Sequence, residues 1–146
     1  MAPSITFESF CKKHKVPSKI NIDVSALPEE ADRKYFIAVY KLNIIARVLN
    51  GNWIPNWKSG EEKKWFPWFD MDESNPSGFG FSNSLFDFWF TYSCCGSRLC
   101  FKTQEISDYV ATNFIDLYRD MMVLEVKQKV APKKTAQKKK SLQTKK

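Results

Sequence analysis

Apolar positions follow a helical period over the first fifty residues of this chain and a strand period through its middle, and the change falls at Asn50-Gly51. Phe7, Phe10 and Cys11 stand at i, i+3 and i+4 behind Thr6, whose hydroxyl suits an N-cap, and Glu8 complements the helix dipole. They predict a first helix over 6–15, stopped by Pro17. Ile20, Ile22 and Val24 then alternate, the mark of an extended strip laid across a domain. The second helix, over 28–50, carries the clearest signals: Pro28 at its start, Glu29, Glu30 and Asp32 in its first turn, and Asn50-Gly51 as a left-handed stop. Tyr35, Ala38, Val39, Leu42, Ile45, Ala46 and Leu49 form its core stripe. Phe36, Ile37, Tyr40, Ile44 and Val48 widen it, which predicts cover on more than one side.

Past Gly51 short aromatic segments alternate with turn residues. The stretch from Trp53 to Phe101 holds 14 of the chain's 22 aromatic residues, enough to fill the core of a small sheet or to leave an aromatic face open. Strands are predicted over 64–70, 78–82, 86–92 and 98–102, with Pro67 marking an edge and Asn75-Pro76-Ser77-Gly78 a turn. Short connections favour an antiparallel meander of three to four strands. Thr103 can cap a last helix over 104–125, whose face is Ile106, Tyr109, Val110, Phe114, Leu117, Tyr118, Met121 and Leu124. The fold class is therefore α+β, as one domain over 1–126, followed by a disordered lysine-rich tail over 127–146 with one leucine to bury.

Charge sharpens this division. The net charge is +7, but nine lysines and no acid lie between Lys127 and Lys146, leaving 14 basic against 16 acidic groups in the first 126 residues. The basicity belongs to a flexible arm rather than to the folded surface. No apolar run reaches the roughly 20 residues that span a bilayer, and the first ten residues lack the order of a secretory signal, so a soluble intracellular protein with no membrane partner is expected.

Candidate chemistry is sparse. Gly78-Phe79-Gly80-Phe81 resembles part of the strand with which RNA-recognition motifs stack bases, although Ser77 stands where a basic residue belongs. Two alternating phenylalanines are also what a core strand requires. Trp53, Trp57, Trp65 and Trp68, spaced around Pro55 and Pro67, suit either a peptide- or sugar-binding groove or packing against the second helix. Cys11, Cys94, Cys95 and Cys100 fit neither a disulfide framework nor a paired zinc pattern, with or without His14, and read as reduced, buried thiols. Asp70, Asp72 and Glu73 read as solvated carboxylates rather than a cation site. One histidine, no phosphate-cradling glycine loop and no nucleophile elbow leave enzyme chemistry without parts, so no catalytic residue, metal or cofactor is expected.

Three stretches together resemble a known family: Leu27-Pro28 with Tyr40-Lys41-Leu42 and Ala46-Arg47-Val48-Leu49-Asn50; Trp53-Ile54-Pro55-Asn56-Trp57 with Trp65-Phe66-Pro67-Trp68-Phe69; and Gly96-Ser97-Arg98-Leu99-Cys100-Phe101-Lys102. The pattern is similar to small uncharacterised proteins of tailed bacteriophages and prophages of Bacteroidota, including crAss-like phages. The resemblance runs from Phe7 to about Met122, leaves the lysine tail outside it, and implies an origin and a compartment, the host bacterial cytoplasm or the virion, without an activity.

The expectation is a non-enzymatic phage accessory protein that binds nucleic acid or another polyanion. Its contacts would be the tail lysines Lys133, Lys134, Lys138, Lys139 and Lys140, the rings of Phe79, Phe81 and Trp89 on a sheet face, and Arg98 and Lys102 beside them. The alternatives are a virion structural or assembly protein whose aromatic sheet is a protein interface, and an inhibitor of a host factor.

Overall fold

A computed structural model describes residues 5–72, 78–88 and 92–124. Among these residues it shows an α+β arrangement of four helices and a two-stranded antiparallel sheet: α1 (Phe7–His14), α2 (Glu30–Asn50), β1 (Lys64–Asp70), β2 (Gly80–Asp87), α3 (Gln104–Asn113) and α4 (Ile115–Met122).

The first two helices form where their signals stand. The Ser9 N–H donates to the Thr6 hydroxyl at 3.1 Å, and Lys15 closes α1 in the left-handed region at φ 55°. Its Phe7, Phe10 and Cys11 are buried together. Ile20, Ile22 and Val24 follow half-buried between exposed neighbours, the alternation of an extended strip. Gly51 terminates α2 at φ 59°, but α2 starts at Glu30 without a side-chain cap. Arg33, in the first turn, donates to the carbonyls of Leu27 and Pro28 and so ties the preceding segment to the helix. Ala38, Leu42, Ile44, Ile45 and Ala46 are its buried face, whereas Tyr35 and Phe36 stand exposed in the first turns. From Ala38 onward α2 has buried residues; its first two turns have none.

The predicted meander is reduced to a hairpin. The strands expected over 78–82 and 86–92 are one continuous strand, β2, paired with β1 from Lys64 opposite Asp87 to Asp70 opposite Gly80, with a bulge between Trp68 and Phe69. Ser84 disguised this continuity: a polar residue at a core position reads as a turn, but its buried hydroxyl donates to Ser107 on α3 at 2.7 Å. The segment 98–102 is no strand. It touches β1 through a single bridge, Trp65 and Phe101 exchanging hydrogen bonds of 2.9 and 2.7 Å, before the chain turns into α3. Residues 89–91 of the expected third strand lie outside the described residues.

One helix was expected over 104–125, and two are present. Phe114 leaves the helical region at φ −124°, ψ 34°, and the Asn113 amide donates back to the Tyr109 carbonyl at 2.8 Å. The break allows α3 to lie on the hairpin while α4 lies on α2, two directions that one straight helix cannot take. Phe114 itself meets Phe10 edge-on at 5.6 Å. The core thus joins α1, α2, both parts of the C-terminal helix pair and the Phe69, Phe79 and Phe101 rings.

Candidate nucleic-acid interface

Three segments converge beside the C-terminal half of α2. Asn43, Arg47 and Asn50 share one face of that helix at i, i+4 and i+7. The following loop brings Asn52, Trp53, Ile54 and Pro55, and the turn after Gly96 brings Ser97 and Arg98. Together they line a hollow of about 520 Å³. A second hollow of about 450 Å³, walled by Ile22, Phe36, Val39, Tyr40 and Ile44, shares Asn43, Arg47 and Arg98 with the first. Arg47 and Arg98 therefore both belong to the wall common to the two hollows. Both residues are exposed, and among the described residues no carboxylate lines either hollow and neither arginine has an ion-pair partner.

Each support of this wall is specific. The Asn50 amide, buried at the end of α2, donates to the Cys100 carbonyl at 2.9 Å and accepts from the Lys102 N–H at 3.1 Å, fastening the Arg98–Lys102 segment to the helix. The Trp57 indole N–H donates to the Ser97 hydroxyl at 2.7 Å. Glu62 orders the intervening loop by accepting from the Trp53 indole at 3.0 Å and the Asn56 N–H at 2.6 Å. Burial acts to raise the Glu62 pKa, but these two hydrogen bonds and the Lys64 ammonium hold it below the ordinary glutamate value.

Lys64 is fully buried. Its ammonium donates to the Glu62 carbonyl at 3.0 Å, lies 3.4 Å from the Glu62 carboxylate and sits 5.4 Å from the centre of the Trp57 ring. Sequence reasoning missed this anchor, because a lysine opening a strand reads as solvated; the Glu62-x-Lys64 spacing beside tryptophans was the available signal.

The expected site residues are distributed unevenly. Arg98 and Lys102 lie together on the fastened segment and are exposed. Phe79 is in the core, stacked on Phe69 at 5.2 Å with the Arg119 guanidinium 5.8 Å from its ring centre, so neither ring face is presented to a base. Phe81 is half-buried and meets Phe69 edge-on at 6.0 Å. Trp89, Lys133, Lys134, Lys138, Lys139 and Lys140 lie outside the described residues. The tryptophans divide: Trp53 and Trp57 are tied by the hydrogen bonds above, Trp65 is half-buried in the hairpin, and Trp68 is 53% exposed. Cys11 and Cys100 are buried, whereas Cys95 is half-buried and Cys94 exposed, which corrects their reading as uniformly buried. Arg47 was absent from the expected set; its place one helical turn before the Asn50-Gly51 stop was the clue.

No helix among the described residues is long and apolar enough to cross a membrane. No protein-family model, curated protein or solved structure matches the chain.

Proposed function

We propose that this chain is a non-enzymatic bacteriophage accessory protein of the host cytoplasm that binds nucleic acid along the Arg47–Arg98 wall, with the lysine tail adding sequence-independent affinity. The observation that carries the reading is the pair of exposed arginines lining both hollows, flanked by aromatic side chains and amides, with no carboxylate among the described residues that line either hollow. Arginine suits phosphate through its planar fork, and rings beside it suit unstacked bases. The three stretches behind the phage resemblance also meet here, contributing Arg47 and Asn50, Trp53 to Pro55, and Ser97 with Arg98.

Fluorescence anisotropy with labelled single- and double-stranded oligonucleotides across a salt series tests this. The full chain is expected to bind with an affinity that falls steeply with salt. A chain ending at Val126 should bind more weakly but measurably, and Arg47→Glu with Arg98→Glu should abolish the binding that remains. Salt-independent binding, or an unchanged double variant, would refute the assignment.

The hairpin favours a second reading. Trp68, Leu85, Phe86 and Phe88 are each at least 40% exposed on or beside it, an apolar concentration suited to a protein interface of a virion component. That version requires the protein in purified particles at a fixed copy number.

A further inference from the structure

The two hollows that meet at Arg47 and Arg98 are more than a cationic patch. Each has an apolar side chain that the fold leaves uncovered: Ile54, 81% exposed, in the first, and Phe36, 48% exposed, in the second. The first hollow also has a ring held in place, because the Trp53 indole N–H donates to Glu62 at 3.0 Å. At about 520 and 450 Å³, each hollow falls in the range of roughly 300–1,000 Å³ that holds a small organic group. Asn43 lines both. Its amide nitrogen donates to the Val39 carbonyl at 2.8 Å, and its side-chain oxygen accepts from no donor among the described residues.

We infer, resting on the nucleic-acid reading above, that this site takes an unpaired strand, with the phosphate between two consecutive nucleotides at Arg47 and Arg98 and one base in each hollow.

The order of parts on the protein matches the order of parts on such a strand. Base, phosphate and base follow one another along an unpaired chain, and hollow, cationic wall and hollow follow one another here. In a duplex the bases are paired and stacked inside the helix. It can bring phosphates to the two arginines, but it leaves both hollows empty and Ile54 and Phe36 in water. Bases splayed from a single strand instead cover that apolar surface and lie against its rings. The free Asn43 oxygen suits a base N–H, a donor that every base offers, so the site discriminates strand state rather than sequence.

The test is fluorescence anisotropy of the full chain, at one moderate salt concentration, with three labelled probes. These are an oligothymidylate, an abasic oligomer of the same length, and a duplex carrying the same number of phosphates. The lysine tail meets equal numbers of phosphates in all three, so differences between them report the bases. The oligothymidylate is expected to bind at least about 5-fold more tightly than either of the others, the lower bound for one stacked base. Phe36→Ala and Ile54→Ser, both at exposed positions, should each shrink that ratio, whereas Trp68→Ala on the hairpin should leave it unchanged. Equal affinity for the oligothymidylate and the abasic oligomer, a duplex bound as tightly as the single strand, or a ratio that neither Phe36→Ala nor Ile54→Ser alters would overturn the inference while leaving phosphate binding in place. Binding of none of the three probes would overturn the nucleic-acid reading and this inference together.

Discussion

Lys64 has its charge answered from within the protein, by the Glu62 carbonyl and carboxylate and the face of Trp57. An ammonium buried beside a single carboxylate is strongly coupled to that partner's protonation. The folded Glu62 pKa lies below its ordinary value of 4.5, so its contribution is fully present above about pH 5 and is lost as pH falls through the folded value. Urea denaturation between about pH 7 and pH 3 is expected to show an acid limb that Glu62→Gln flattens, with the variant less stable at neutral pH. Tyr118 presents the opposite case. Its hydroxyl is buried with no hydrogen-bond partner among the described residues, and desolvation, with a lesser effect of Cys95, pushes its pKa well up. Removing an unsatisfied buried donor relieves its desolvation cost, so Tyr118→Phe should match or exceed the native stability by up to about 1 kcal/mol in the same experiment. The sequence carried a partial signal for the first, the Glu62-x-Lys64 spacing, and none for the second. Lys64 and Tyr118 occupy positions that periodicity assigns correctly to a strand and to a core face; Glu62 stands two residues from Lys64, but the Trp57 ring that completes its enclosure, and Cys95 beside Tyr118, come from other segments.

At the scale of elements, what was legible was what short-range physics decides. Thr6 and Thr103 cap their helices, Gly51 stops α2, and β1 begins and ends where expected, because each of these depends on residues within a turn or a strand of itself. The errors lie where partners are distant. β2 is continuous because Ser107 satisfies Ser84 from 23 residues away, and 98–102 is no strand because its outer side is taken by the Asn50 amide. The split between α3 and α4 is likewise a tertiary demand, imposed by packing on the hairpin and on α2 at once. Its pivot is Phe114, 4% exposed between the two helices. Phe114→Ala should cost roughly 3–5 kcal/mol by chemical denaturation, as for a large ring removed from a packed core. A loss below about 1 kcal/mol would mean that the joint does not depend on that ring.

At the scale of the molecule, the proposed function gives a nearly neutral first 126 residues and a cationic tail separate shares in holding a polyanion. The division has a quantitative form. Against double-stranded DNA each phosphate neutralised contributes about −0.9 to the slope of log K on log salt, so Arg98→Ala should reduce the slope by about 1, and removal of the residues after Val126 should reduce it further. The candidate wall was only half legible. Arg98 was expected and Arg47 was not, because the two lie 51 positions apart and meet only when the end of α2 is fastened to the turn after Gly96.

That fastening rests on the side chain of Asn50, and Asn50 precedes a glycine. In an open chain this dipeptide ages readily: the glycine nitrogen attacks the side-chain carbonyl, ammonia leaves as a cyclic imide forms, and water opens the imide to aspartate or isoaspartate. Here the amide is held by Cys100 and Lys102, and the Gly51 N–H is engaged with the Val48 carbonyl at 3.3 Å. The native fold thus shelters its own chemical clock. Each opening of this corner lets the clock advance, and the carboxylate product has no N–H for the Cys100 carbonyl, so deamidation at Asn50 accumulates as a permanent record of the time the chain has spent unfolded.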